Sequence, residues 1–249
     1  MRLFFYVAYK GTAYHGWQIQ PNAITIQDKL QQALNIVFKG DFDIVGSGRT
    51  DTGVHAYEQV FHLDITENMA LDEIKAKLNG ILPNDIAIHH IRPVSPQAHA
   101  RFDAVDRSYK YRIHFEKSPF QANESLFVPV RPNIERMNNA AEILLGQHDF
   151  RSFSKVKTEV NTFNCTIYRA QWHLEEDQAT FEISANRFLR GMVRAIVGTL
   201  LDIGLEKKDF GDFKAIIEGK NRSLAGRSVS PDGLYLCKIN YPESIFTTA

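Results

Sequence analysis

Gly46-Ser47-Gly48-Arg49-Thr50-Asp51-Thr52-Gly53-Val54-His55-Ala56 joins two strand-like segments, residues 42–47 and 57–65. Three glycines within residues 46–53 leave the backbone free to take positive φ and to approach a ligand closely. Arg49 and Asp51 stand two positions apart, with no second acid in the loop. A carboxyl beside a guanidinium stays ionised, because the opposite charge lowers its pKa. Such a group is a poor general acid and a competent nucleophile. The other interpretation is an Asx-turn, with Arg49 as a solvated rim charge.

Working outward, residues 2–9 read as a strand. Thr25 opens a helix with Asp28 as its capping-box partner, and Ile26, Leu30, Leu34, Val37 and Phe38 keep helical spacing up to Gly40. Leu71, Ile74, Leu78 and Leu82 form a second helical stripe, followed by a strand near 86–93. The same style continues with a strand at 107–115, a helix at 134–145 and strands near 165–174 and 179–185. Helices at 187–204 and 209–218 and a strand at 234–241 complete it. Hairpin-like strand pairs mixed with helices indicate an α+β class rather than alternating βαβ units. Two halves, 1–105 and 106–249, would each supply part of one sheet. A cleft between them is the default place for a ligand.

The 249 residues suffice for one large domain or two ordinary ones, and 44% hydrophobic with 23% charged residues is the composition of a globular protein. Cys165 and Cys237 supply neither a disulfide framework nor a zinc ligand set. The start is too short in apolar residues for a signal peptide, and no stretch has the apolar length of a membrane span, so a reduced cytoplasmic location is expected. With 29 basic and 29 acidic residues, indiscriminate coating of nucleic acid is disfavoured.

Basic charge gathers in two places. The first is Arg101 to Arg112, where Tyr109, Tyr111, Ile113 and Phe115 would face one side of a strand and Lys110, Arg112 and His114 the other. The second runs from Asn186 to Gly198. On a helix of about 100° per residue, Arg187, Arg190 and Arg194 would fall within roughly 60° of one another. Gly191 and Gly198 lie beside that stripe, and glycine costs close to 1 kcal/mol in a helix interior. The placement points to close approach by another backbone or a ligand, with helix-on-sheet packing as the alternative. The chain shows no P-loop, no dinucleotide fingerprint and no metal-ligand spacing, and His89-His90 and His148-Asp149 lack further ligands.

Gly48-Arg49-Thr50-Asp51 with Gly53-Val54-His55 resembles the active-site motif of the tRNA pseudouridine synthase A family. The likeness extends through Gly11-Thr12, Tyr14-His15-Gly16-Trp17-Gln18, Thr25-Ile26-Gln27, Asn79-Gly80-Ile81-Leu82-Pro83, His99-Ala100-Arg101-Phe102 and Arg107-Ser108-Tyr109-Lys110-Tyr111. Gly146-Gln147-His148-Asp149-Phe150, Met192 to Gly198 and Gly233-Leu234-Tyr235-Leu236 follow in the same order. Each motif is weak alone; together, in register, they are specific. Asn161 stands where the family commonly has arginine, and Ser230 precedes Pro231 where alanine is commoner.

The resemblance implies two α/β halves sharing a central, mostly antiparallel sheet with helices packed on it and an active-site cleft between the halves. It implies a cytoplasmic homodimer, free of cofactor and metal and not membrane-bound, that isomerises uridine at positions 38, 39 and 40 of tRNA. Asp51 matches the nucleophile and Arg49 the arginine that helps turn the base out. Arg194 matches the arginine paired with the acid, and Tyr109 the tyrosine that contacts the base. His99, Arg101 and Phe102 fall in a tRNA-contacting segment, and Arg187 and Arg190 are expected to bind substrate. Two other classes compete: a catalytically silent RNA-binding protein, which needs Tyr109 and the basic clusters but not Asp51, and a glycosidase-like hydrolase, which needs a second carboxylate.

Overall fold

In the computed structural model, which describes residues 1–66, 69–155 and 160–247, the apolar run at the start is strand β1 (Arg2–Tyr9). Nearly every position of β1 is buried, because it is central. It pairs antiparallel with β3 (His55–Asp64) on one side and β4 (Ile86–Val94) on the other. Phe5 and Phe61 face each other in register, with ring centroids 4.8 Å apart and planes 5° from parallel. Strand β2 (Val45–Gly46) pairs with β3. It is shorter than the expected 42–47 because side chains of the preceding helix take the hydrogen bonds of Phe42. Asn35 Oδ1 accepts its amide at 3.1 Å, and Gln31 Nε2 donates to its carbonyl at 2.7 Å.

Helix α1 (Ile26–Phe38) starts where Thr25 Oγ1 accepts the Asp28 amide at 3.3 Å, and it buries Ile26, Leu30, Ala33, Leu34 and Phe38. It ends at Lys39, which itself takes the left-handed conformation at φ 52°. Helix α2 (Leu71–Ile81) buries Ile74 and Leu78. Asn79 ties it to β4 like a strand partner: its Nδ2 donates to Ile88 O at 2.9 Å and its Oδ1 accepts the Ile88 amide at 2.8 Å.

The chain forms two compact units, Met1–Val105 with Leu236–Ala249, and Asp106–Tyr235. Residues from Leu236 onward go with the first unit rather than with 106–235. The last strand, β10 (Leu234–Asn240), is the neighbour of β3. The second unit holds β5 (Asp106–His114), β6 (Leu126–Phe127), β7 (Gly146–Asp149), β8 (Asn164–Leu174) and β9 (Gln178–Ala185). Its strand order is β5-β9-β8-β7, antiparallel throughout, with β6 parallel to β5. Tyr111, Ile113 and Phe181 are fully buried on one face. On the opposite face Glu182 accepts from Lys110 at 3.0 Å and Arg169 at 2.8 Å.

Three helices complete the second unit: α3 (Ile134–Ala141), α4 (Met192–Gly204) and α5 (Phe210–Gly219). The expected helix 134–145 tightens into a 3₁₀ turn from Glu142 to Leu144. The expected helix 187–204 begins only at Met192, for two reasons. Asn186 still pairs with Thr166 in extended fashion, donating its amide at 3.1 Å and accepting the Thr166 amide on its Oδ1 at 2.9 Å. Gly191 then takes φ 70°, a left-handed conformation that cannot propagate a right-handed helix. Arg187 and Arg190 therefore lie in the connector, and the three arginines share no helix face. Close approach does occur at Gly198, where a Cβ would lie 1.9 Å from the Arg227 carbonyl oxygen. The approaching group is backbone; at Gly191 nothing lies within 4 Å of a Cβ, so the expected close approach fails there. Both units are α+β, as the mixture of strand pairs and helices required.

Candidate active site

Residues 47–54 connect β2 to β3, and their hydrogen bonds run inward. The Ser47 amide donates to Val60 O at 2.7 Å. Its hydroxyl donates to Gln59 Oε1, which also accepts the Val60 amide at 3.0 Å, while Gln59 Nε2 donates to Gly48 O at 3.1 Å. Gln59 is fully buried. Leaving such an amide unpaired would cost about 1–3 kcal/mol, so the loop entrance and Gln59 satisfy each other.

Thr50 is only 7% exposed. Its Oγ1 lies 2.9 Å from the Tyr9 hydroxyl, and its carbonyl accepts the Trp17 amide at 3.2 Å. Arg49 is exposed on one side of it and Asp51 half-buried on the other. The Val54 amide donates to Asp51 O at 3.1 Å, closing a turn in which Gly53 has φ 78°. An Asx-turn at Asp51 would use the Gly53 amide, two residues on. That amide donates to Tyr14 O at 3.2 Å.

Segment 11–17 lies backbone to backbone against this loop. A Cβ on Gly11 would sit 2.0 Å from Val54 O, and one on Gly16 would sit 2.5 Å from Thr50 O. His55, 1% exposed, accepts the Gly11 amide on Nδ1 at 3.1 Å, which places the proton of the neutral ring on Nε2. Tyr14 donates its hydroxyl to Asp85 at 2.7 Å, and burial, with that carboxylate, pushes the phenol well above its usual pKa range.

A second feature of the first unit is the turn 98–103, in which every backbone amide has an acceptor. Ala98 donates to Ser95 O at 2.9 Å, His99 to Asp103 Oδ2 at 2.7 Å and Ala100 to His62 Nδ1 at 3.1 Å. Arg101 and Phe102 donate to His99 Nδ1 at 3.1 and 3.3 Å, and Asp103 to His99 O at 3.1 Å. Below the turn, Tyr241 donates its hydroxyl to Ala100 O at 2.6 Å, and Arg2, paired with Asp64 at 2.7 Å, donates to Ala98 O at 2.9 Å. Burial, reinforced by Arg2, lowers the His62 pKa to about 4, and burial lowers that of His99 as well. Both rings are held in the neutral, accepting form. Above them the Phe102 ring is 74% exposed, with the Arg101 guanidinium 5.7 Å from its centroid.

In the second unit, Tyr109 continues the buried face of β5 but is only half-buried, and Phe188 meets its ring edge-on at 5.1 Å. Arg190 is exposed in the connector, its carbonyl accepting the Lys155 amide at 3.0 Å, while Arg187 is half-buried. Arg194 stands in the first turn of α4 and donates its Nε to Val229 O at 2.7 Å.

The residues singled out in the sequence thus group as Arg49 and Asp51 on one loop, His99, Arg101 and Phe102 on one turn, and Tyr109 with the 187–194 segment. Sequence reasoning missed Tyr9, Gln59, His62 and Phe188. The first three are buried partners far along the chain from the groups they hold, and nothing local marks them.

A family model described as tRNA pseudouridine synthase matches residues 6–103 and 140–242. A protein of Parabacteroides distasonis named tRNA pseudouridine synthase A is 46% identical over 246 residues, covering 98% of each chain. Proteins of the same name from Bacteroides fragilis and Bacillus subtilis are 47% identical over 248 residues and 39% identical over 245 residues. They cover 98% and 97% of this chain and 98% and 99% of their own lengths.

Proposed function

Because this chain belongs to the tRNA pseudouridine synthase family, we propose that Asp51 is the nucleophile of its uridine-to-pseudouridine isomerisation, with the anticodon stem-loop, positions 38, 39 and 40, as target. The overall reaction, isomerisation of uridine in tRNA, is that of the family. The observation that supports Asp51 is local: Thr50 is turned inward, Arg49 and Asp51 flank it on the more exposed side, and the amide an Asx-turn would need is engaged elsewhere.

A stacked uridine is out of reach, so the base must be extruded at a cost of a few kcal/mol. Arg49, exposed, is suited to fill the vacated space. Tyr109 offers a half-buried π-face for the uracil. An Asp51 carboxylate oxygen then bonds to C1′ of the ribose or to C6 of the uracil, and the N1–C1′ bond breaks. The base turns, C5 bonds to C1′, the bond to Asp51 is released, the C5 proton leaves to a base, and N1, freed from C1′, takes up a proton. Atoms and electrons balance with no oxidation or hydrolysis. Arg194 is assigned to offset the charge of the acid.

Phe102 with Arg101 and His99, and Arg187 with Arg190, are assigned to the tRNA away from the target base. A homodimer in the cytoplasm completes the proposal, on the strength of the family likeness. Incubation with an unmodified tRNA transcript tests the whole: mass-silent conversion of uridine at the three positions is expected. Release of free uracil would mean hydrolysis, and unchanged nucleosides would mean binding alone.

A further inference from the structure

We infer that Tyr9 and Thr50 form a positioning device that sets the backbone on which Asp51 and Arg49 are presented, an inference that rests on the role proposed for Asp51. Tyr9 is the last residue of β1 and 4% exposed, so its hydroxyl is delivered from a rigid central strand. It lies 2.9 Å from Thr50 Oγ1. Tyr9 also packs against Trp17, ring centroids 6.2 Å apart, and the Trp17 amide holds the Thr50 carbonyl at 3.2 Å. The Trp17 indole reaches the loop entrance as well: a Cβ on Gly46 would lie 2.6 Å from its Nε1. Side chain and carbonyl of Thr50 are thus fixed by two adjoining aromatic residues, and neither can swing without breaking a buried hydrogen bond. The orientation of the residues on either side follows from this anchor.

A misplacement of about 1 Å can cost ~100-fold in rate while leaving binding intact. Tyr9 and Thr50 act through Asp51 and Arg49, whose proposed work is on the extruded base rather than in holding the tRNA, so their effect belongs in kcat. Thr50→Val keeps the shape and removes the hydroxyl, Tyr9→Phe removes the other partner, and Thr50→Ser restores the hydroxyl. With full-length protein and an unmodified tRNA transcript, each of the first two is expected to lose roughly 10- to 100-fold in kcat. KM and tRNA affinity should stay within about twofold, and Thr50→Ser should recover most of the rate. The double variant should be no slower than the slower single, because both remove one shared interaction.

Losses that multiply in the double variant, a kcat within about twofold of wild type in both singles, or a deficit that merely tracks the unfolded fraction in a parallel melting experiment would overturn the inference. Asp51→Asn serves as the control. If it is inactive and Tyr9→Phe is normal, only the positioning role fails. If Asp51→Asn is active, the nucleophile assignment fails and takes the positioning role with it.

Discussion

His62 and Ala100, 38 residues apart, meet at a single hydrogen bond, the Ala100 amide donating to His62 Nδ1 at 3.1 Å. A buried imidazole that must accept cannot be protonated, and burial accordingly lowers its pKa to about 4. The exposed Phe102 ring stands on a turn whose shape depends on two neutral histidines. The Phe102 ring already packs on His99, centroids 4.3 Å apart, and its exposed surface is left for a base to stack on.

The first prediction concerns pH. Between about pH 6.5 and 4 the unfolded chain protonates His62 while the folded chain does not, so the unfolded state binds more protons. Stability should therefore fall as pH drops through that window, by roughly 2 kcal/mol from this residue. Chemical denaturation across the range in wild type and His62→Asn checks it, because asparagine can accept the same amide without titrating. An equal acid sensitivity in the two proteins would show that His62 is not responsible.

Phe102→Ala should weaken tRNA binding about fivefold or more, as expected when base–aromatic stacking worth about 1–3 kcal/mol is lost. The thermal midpoint should not move, since the ring is 74% exposed. Fluorescence anisotropy with labelled tRNA and a melting curve measure the two quantities separately.

Arg187→Ala and Arg190→Ala should each weaken tRNA binding and reduce the slope of log affinity against log salt by about 1, the signature of one lost phosphate contact. Unchanged slopes in both would return these arginines to a structural role in the connector between β9 and α4.

Glycine substitutions separate backbone contact from open space. Gly198→Ala places a Cβ 1.9 Å from the Arg227 carbonyl and forces that segment away from α4. Overpacking of this kind costs about 1–3 kcal/mol, or a midpoint lower by roughly 5 °C in a chain of this size. Gly48→Ala meets nothing within 4 Å and should melt like wild type.

Elements with a clean apolar period were legible in the sequence. β1, α1 and α2 occupy the expected residues almost to the position, because local preference and tertiary packing agree there. Where they disagree, the sequence misled. Asn35 and Gln31 drew Phe42 out of its strand, and the pairing of Asn186 with Thr166 kept the chain extended into what looked like a helix. At the site, the Arg49–Asp51 loop stands out by composition alone. Its supports do not: Tyr9 lies 41 residues from Thr50 and Tyr14 lies 71 from Asp85, distances over which no periodicity carries information.

The nucleophile assignment meets its most direct test with tRNA transcribed from uridine tritiated at C5, since forming the C5–C1′ bond expels that hydrogen to water. Wild-type protein should release tritium, and Asp51→Asn should release less than about 1% as much while binding the same tRNA with undiminished affinity. Tritium release by Asp51→Asn at a substantial fraction of the wild-type rate would contradict the account.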